Sequence, residues 1–134
     1  MKVVGLDGKE YNWKPKGNKG KRSKLHKRAT GIIKELFPFD VVLEEVSLPG
    51  SATTKNNKLR CDIFVPNREM FVEVHGEQHF KYINFYHKNK MDFYRAQARD
   101  RTKKEWFKLN DLTLVELHFN ETEDEWRDKL KWCH

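Results

Sequence analysis

Cysteine is scarce in this chain of 134 residues: Cys61 and Cys133 are its two. Without a CxxC pair they offer neither a disulfide framework nor a zinc knuckle, so both are expected to be reduced. Cys61 lies in an apolar stretch, where a small buried residue is the expected role. Long apolar runs are also missing. Nothing approaches the roughly 18 residues that span a bilayer, and the first residues lack the apolar core of a secretory signal. The expectation is a soluble, intracellular protein with no membrane partner. Internal repeats and interdomain linkers are absent too, and the length suits one domain with a single modest core. Acidic residues are absent from Tyr11 to Lys34.

That acid-free window holds Lys14, Lys16, Lys19, Lys21, Arg22, Lys24, Lys27, Arg28 and Lys34. Together with Lys55 and Lys58 in a polar segment further on, these residues form a basic block able to neutralise phosphates. Over the whole chain, 27 Lys and Arg face 20 Asp and Glu, a net charge of +7. This favours a polyanionic partner, although charge alone does not choose among DNA, RNA and an anionic membrane. A hydrophobic fraction of 37% with nine Phe and four Trp is that of a globular domain.

Residues 1–22 read as a basic hairpin, turning at Asp7-Gly8, and an extended arm; residues 23–134 read as the single domain. Ser23 can cap a helix over 23–37 with Leu25, Ala29, Ile32, Ile33 and Leu36 at helical spacing, stopped by Pro38. A strand over 41–46 ends near Pro49-Gly50, and strands over 59–65 and 70–75 flank a tight turn at 66–69. A second helix over 90–109 offers Phe93, Ala96, Trp106 and Leu109 to the sheet, with Asn110 as its stop. A strand over 112–119 and a helix over 122–132 complete an α-β-β-β-α-β-α order, an α/β fold.

The chemistry is concentrated in Leu59-Arg60-Cys61-Asp62-Ile63-Phe64-Val65 and Met70-Phe71-Val72-Glu73-Val74-His75-Gly76-Glu77-Gln78-His79. Period-two alternation puts Glu73 and His75 on one face, and across the turn Asp62 can meet them. Converging carboxylates make a poor core element unless something neutralises them, and a divalent cation does so. Mg²⁺ (or Mn²⁺) prefers oxygen donors, so Asp62, Glu73 and a carbonyl near Val74 form a suitable incomplete shell, with His75 beside it as a proton acceptor. Zinc on His75 and His79 is disfavoured, because a strand followed by glycine does not present two rings as a helical turn would.

This pattern and the order of elements resemble the PD-(D/E)XK nuclease fold, with His75 where a lysine usually stands. Val-His-Gly followed by His79 is similar to the very-short-patch mismatch endonucleases, and the block Glu-Val-His-Gly-Glu-Gln-His resembles the phage-encoded EDxHD homing endonucleases. The resemblance implies a restriction-endonuclease-like core and Mg²⁺-dependent cleavage of double-stranded DNA, as a nick or a double-strand break. It implies metal-ligand positions for Asp62 and Glu73, the lysine or histidine position for His75, and a final acidic position for Asp100. For a phage-encoded protein it implies the bacterial host cytoplasm.

The first helix carries His26 where many such nucleases have a glutamate, and Glu35 stands near that helix's end. For the first acid of the EDxHD pattern that the resemblance implies, Glu45 at the end of the first main strand is the candidate. Gln97, Asp100 and Lys103 or Lys104 share one helical face by spacing, either near the phosphate or as an ordinary exposed ion-pair face. His79 is either a phosphate contact or structural, and His87 is expected to pack against the second helix. A monomer and a homodimer are both compatible with one site. The rival to an endonuclease is a non-catalytic nucleic-acid-binding module; within nucleases it is a mismatch nickase or junction resolvase.

Overall fold

The computed structural model describes residues 1–51, 58–77 and 90–132. Lys55, His79, His87 and Cys133 therefore lie outside the described residues. Within them the chain is mixed α/β, with a four-stranded mixed sheet, three helices and a separate two-stranded hairpin.

The hairpin pairs β1 (Lys2–Val4) with β2 (Glu10–Asn12), and Gly8 at φ 81° makes its turn possible. Ser23, in extended conformation, accepts the His26 N–H at 3.1 Å and so starts α1 (Lys24–Leu36), whose Ala29, Ile32 and Ile33 are buried. The first strand of the main sheet, β3 (Leu43–Ser47), begins two residues later than the β-branched run predicts, and Val41 remains 60% exposed. β4 (Arg60–Val65) and β5 (Met70–His75) are joined by a 3₁₀ turn closed by Glu69 at φ 48°. After α2 (Lys90–Leu109) come β6 (Leu114–His118) and α3 (Glu123–Trp132), the latter capped by Thr122, whose hydroxyl accepts the Glu125 N–H at 3.2 Å.

The sheet order is β3-β4-β5-β6. The first three strands are antiparallel neighbours, while β6 returns parallel to β5, a pairing that needs the crossover α2 lies on. Helices cover both faces, giving three layers. On one face α1 and α3 (Trp126, Leu130) pack on Ile63, Val65, Met70, Val72, Val74, Val115 and Leu117. On the other, Trp106 and Phe107 of α2 join Val3 and Trp13 from the hairpin region over Val46, Cys61, Phe64 and Phe71. Cys61 is fully buried, as its apolar surroundings predict.

Residues 1–22 are thus no appendage. Phe64 and Phe71 stack at 4.1 Å, Trp13 lies parallel to both, and its edge meets Trp106 at 5.4 Å. The side chain of Asn110 ends α2 by bonding the Trp106 carbonyl and also both backbone groups of Val4. Gly5 and Gly50 meet backbone to backbone, and a methyl group on either would run into the other's Cα.

One expectation about α2 is corrected. Phe93 and Trp106 are buried, but Leu109 is 51% exposed and Phe107 packs in its stead. At 3.6 residues per turn, two positions past Phe107 is a rotation of about 200°, which turns Leu109 to solvent. Trp106→Ala is expected to cost about 3–5 kcal/mol, and Leu109→Ala on the same turn less than about 0.5 kcal/mol. Urea unfolding midpoints at unchanged slope measure both.

Candidate metal centre

The site forms where regular pairing breaks. The β3–β4 ladder bridges Glu44 to Ile63 and Val46 to Cys61, and the β4–β5 ladder begins at Ile63 and Val72, so Asp62 is bridged to neither neighbour. Two local causes act from opposite sides. Glu45, facing Asp62 across the ladder, adopts φ 54°, a left-handed conformation rare outside glycine. On the other side the Asp62 carboxylate, through Oδ2, accepts the Val74 N–H at 2.8 Å. A side chain thus occupies the place of a backbone acceptor, and β4 and β5 diverge.

The break also resets the alternation. Leu43 and Val46 both reach the α2-side core, as do Cys61 and Phe64, although residues three apart on a regular strand point to opposite faces. Uniform alternation, from which the sequence placed Asp62 opposite Glu73, does not hold at Asp62. The two carboxyl groups nevertheless adjoin, because the fork folds Asp62 back onto the start of β5's free stretch.

Three elements converge here. Ligand-capable atoms of His26 from α1, Glu45 from β3 and Asp62 from β4 all lie within 4.8 Å of one another. His26 is 4% exposed; its Nε2 lies 3.1 Å from Glu44 Oε1, and its Nδ1 lies 3.9 Å from Glu45 Oε1. Glu44 is itself held by the Thr30 hydroxyl at 2.7 Å and by Arg22 at 3.0 Å. Burial would raise the Glu44 carboxyl, but Thr30, Arg22 and His26 together hold it below its ordinary range. For Glu45 the balance goes the other way, with burial and the charge of Asp62 pushing its carboxyl up.

Glu73, 4% exposed, stands next to this group. Burial first and Asp62 second push its carboxyl well above the ordinary range. Lys103 Nζ approaches Oε1 to 3.2 Å without hydrogen-bond alignment, so a buried carboxylate oxygen lacks a hydrogen-bond partner. Burial alone would lower the Lys103 ammonium, but Glu73, Asp62 and Asp100 outweigh it and raise it. Excess negative charge with an orphaned oxygen is an environment that a divalent cation fits. Glu45, Asp62 and Glu73 supply the oxygen donors such an ion takes, and His26 supplies a nitrogen. Val74 enters the site through its N–H, given to Asp62.

Beyond Glu73, His75 faces a cleft lined also by Gln97, Asp100, Arg101, Lys104, Glu116 and His118. His75 Nε2 lies 3.0 Å from Glu116 Oε1, Lys104 reaches the same oxygen at 3.1 Å, and the His75 and His118 rings stack at 5.2 Å. The α2 face read from spacing is therefore divided: Gln97 and Asp100 border the cleft, Lys103 serves Glu73 and Lys104 serves Glu116. Sequence reasoning missed Glu116 and His118, although the signal was present. Glu116-Leu117-His118 repeats Glu73-Val74-His75, and the parallel register sets the two triplets side by side. His26 was noticed only as a departure from a family glutamate.

The basic residues lie on the arm, on the start of α1 and just before β4. Lys14, Lys16 and Lys58 share a groove with Trp13, Asn18 and Ser47, while Lys21, Arg22 and Lys27 line another by Gly20 and Ser23. Lys19 and Lys24 are exposed, and Arg28 approaches Glu123 at 3.7 Å. The Asn18 backbone N–H donates to the Glu44 carbonyl at 2.9 Å and its side-chain amide to the Glu45 carbonyl at 2.8 Å, fastening the arm along β3 beside the carboxylates.

The chain is similar to two viral proteins. It is 36% identical over 69 residues to "Uncharacterized protein 307L" of Invertebrate iridescent virus 6, a stretch that is 52% of this chain and 35% of that protein. It is 33% identical over 63 residues to "Uncharacterized protein 033L" of Invertebrate iridescent virus 3, which is 47% of this chain and 32% of that one. The chain spans about a third of the length of these curated relatives. No family model and no solved structure matches it. No helix among the described residues is long and apolar enough to cross a membrane.

The cleft carries a pH signature of its own. The hydrogen bond from His75, helped by Lys104 and opposed by burial, holds the Glu116 carboxyl down at about 2, against an ordinary 4.5. A folded-state value below the unfolded one gives stability that is complete above pH 4.5 and is lost as pH falls towards 2. In acid-unfolding titrations Glu116→Gln is expected to be less stable than the parent at neutral pH, and to lose stability less steeply over that interval.

Proposed function

We propose that this chain is a metal-dependent DNA endonuclease that hydrolyses phosphodiester bonds, using Mg²⁺ or Mn²⁺. The observation that carries the reading is the convergence of Glu45, Asp62 and the buried Glu73 at one fork of the sheet, beneath a basic arm fastened to the same strand. The order α1-β3-β4-β5-α2-β6, with β6 parallel to β5, supports it as well, being the arrangement that the PD-(D/E)XK resemblance implies. A basic module that only binds DNA has no use for Glu45 and the buried Glu73 both set against Asp62, where burial and its charge oppose their ionisation.

Asp62, Glu73 and Glu45 would hold the cation, which would supply Lewis-acid polarisation of a phosphoryl oxygen. The residues of the chain do the rest. The arm lysines seat the backbone phosphates; His75, its ring held by Glu116, accepts the proton of the attacking water; and Lys104 offers positive charge at the mouth of the cleft. One P–O bond forms to the water oxygen and one breaks to the sugar oxygen, which takes a proton from solvent as it leaves, while the proton on His75 returns to solvent. By the same reading the protein acts as a monomer nicking one strand, or as a homodimer cutting both.

With Mg²⁺ or Mn²⁺, the protein is expected to nick or linearise supercoiled plasmid. Asp62→Ala and Glu73→Ala are expected to lower the rate by about 10²-fold or more, and His75→Gln by about 10²- to 10⁴-fold. Unchanged cleavage in the Asp62 and Glu73 variants refutes the assignment. If salt-dependent binding occurs with no cleavage of matched, mismatched or four-way substrates, the protein is a binding module instead.

The arm makes a separate prediction. Replacing Lys14, Lys16 and Lys58 together by Ala is expected to flatten the slope of log Kd against log salt by about 0.9 for each phosphate contact removed. Fluorescence anisotropy with duplex DNA in chelator measures it without turnover.

A further inference from the structure

We infer that the metal of this fork is a first-row transition ion such as Mn²⁺ in preference to Mg²⁺, because His26 is one of its ligands through Nδ1. The inference builds on the proposed nuclease only in placing a cation at the fork; its argument comes from α1. His26 sits on the first turn of that helix, capped by Ser23, with its side chain 5% exposed at the edge of the carboxylates. A buried imidazole needs partners for both nitrogens, and the two here differ. Nε2 meets Glu44, an acceptor, so the tautomer with its proton on Nε2 leaves the Nδ1 lone pair for an ion. Nδ1 points towards Glu45 and Asp62, and at 3.9 Å the Glu45 oxygen is beyond hydrogen-bond range.

Glu44 is itself fixed by the Thr30 hydroxyl and the Arg22 guanidinium, from α1 and from the arm. A carboxylate that takes the N–H of one ring nitrogen while the other faces oxygen donors is the usual support of a metal-bound histidine: it sets the tautomer and raises the basicity of the free nitrogen. Beside Asp62, the buried Glu73 Oε1 has the Lys103 ammonium at 3.2 Å but no aligned hydrogen bond, a second and independent sign that negative charge at the fork is incompletely satisfied. Mg²⁺ binds almost wholly through oxygen and keeps several waters, whereas an imidazole donor favours the transition series. The carboxylates of Glu45, Asp62 and Glu73 with one imidazole accommodate Mn²⁺ well and Co²⁺ better still.

The test is metal binding by the full chain stripped with chelator, with no DNA present. Titration of Mn²⁺, read by loss of the free-ion EPR signal, with Mg²⁺ as competitor, is expected to show Mn²⁺ at least about tenfold tighter. Pulsed EPR of the Mn²⁺ complex is expected to detect coupling to an imidazole nitrogen that persists in His75→Gln. His26→Gln is expected to abolish that coupling and to weaken Mn²⁺ by at least tenfold while Mg²⁺ affinity stays within about threefold; Glu44→Gln is expected to weaken Mn²⁺ by about 10- to 100-fold. Equal affinity for the two ions, or a complex without nitrogen coupling, overturns the inference even if His26→Gln fails to fold. Nitrogen coupling in a protein that cuts no DNA leaves this site standing and removes the nuclease reading. Cleavage with Mg²⁺ by a protein whose metal shows no nitrogen coupling does the reverse.

Discussion

Where β4 leaves β5, the Val74 N–H gives its hydrogen bond to a carboxylate instead of a backbone carbonyl. Most of the site follows from that exchange. A ladder continued through Asp62 would hold the two strands together to their ends and close the sheet over Glu73. With Asp62 satisfying Val74, β5 continues beside β6 alone and β4 beside β3 alone. Side chains from both outer layers then reach the opening, His26 from α1 and Lys103 from α2. The cost is electrostatic. Glu45 and Glu73 are both pushed up by burial and by Asp62, the penalty of gathering carboxyl groups in a poorly solvated opening.

The break in pairing is tolerated because the frame around it is rigid. On the α2 side Trp13, Phe64, Phe71, Trp106 and Phe107 form an aromatic cluster, and Trp106 also bonds the Pro49 carbonyl through its indole N–H. On the other side the aliphatic strand residues meet α1 and α3. Each large side chain buried here stabilises the fold by about 1.5–3 kcal/mol, more than one missing ladder bond, which contributes about 1 kcal/mol net. Apolar packing therefore sets the strand positions, and hydrogen bonding at the fork adapts to them.

The regular parts were legible from sequence for that reason. Ala29, Ile32 and Ile33 mark a helix face, Val72 and Val74 a strand face, and Ser23 and Thr122 the starts of helices; each signal is local and agrees with the packing that follows. The site was legible only in its strand residues. Asp62, Glu73 and His75 stand out because charged groups interrupt an apolar pattern, but the φ of Glu45 and the broken alternation at Asp62 arise from contacts between strands and from Asn18, more than twenty residues upstream. His26 stood out only as a departure from a family glutamate, because its partner Glu44 is distant in sequence and adjacent only in space. Glu116 and His118 repeat a triplet whose meaning depends on the parallel register, which the order of elements implies but spacing alone does not number.

The arm and the fork form one mechanical unit. A non-glycine residue in the left-handed region costs roughly 1–3 kcal/mol, and the two hydrogen bonds from Asn18 to Glu44 and Glu45 return roughly 1 kcal/mol each. The two quantities are of similar size, so a seated arm is enough to hold Glu45 turned towards Asp62, and a displaced arm leaves that backbone free to relax to a regular strand. The same arm carries Arg22, which fixes Glu44 and through it His26. Whatever binds Lys14, Lys16 and Lys21 and steadies the arm therefore also stabilises the orientation of two of the three groups gathered at the fork. The arm and the acidic groups of the fork are thus coupled through Asn18 and Arg22, with the sheet edge as the common support.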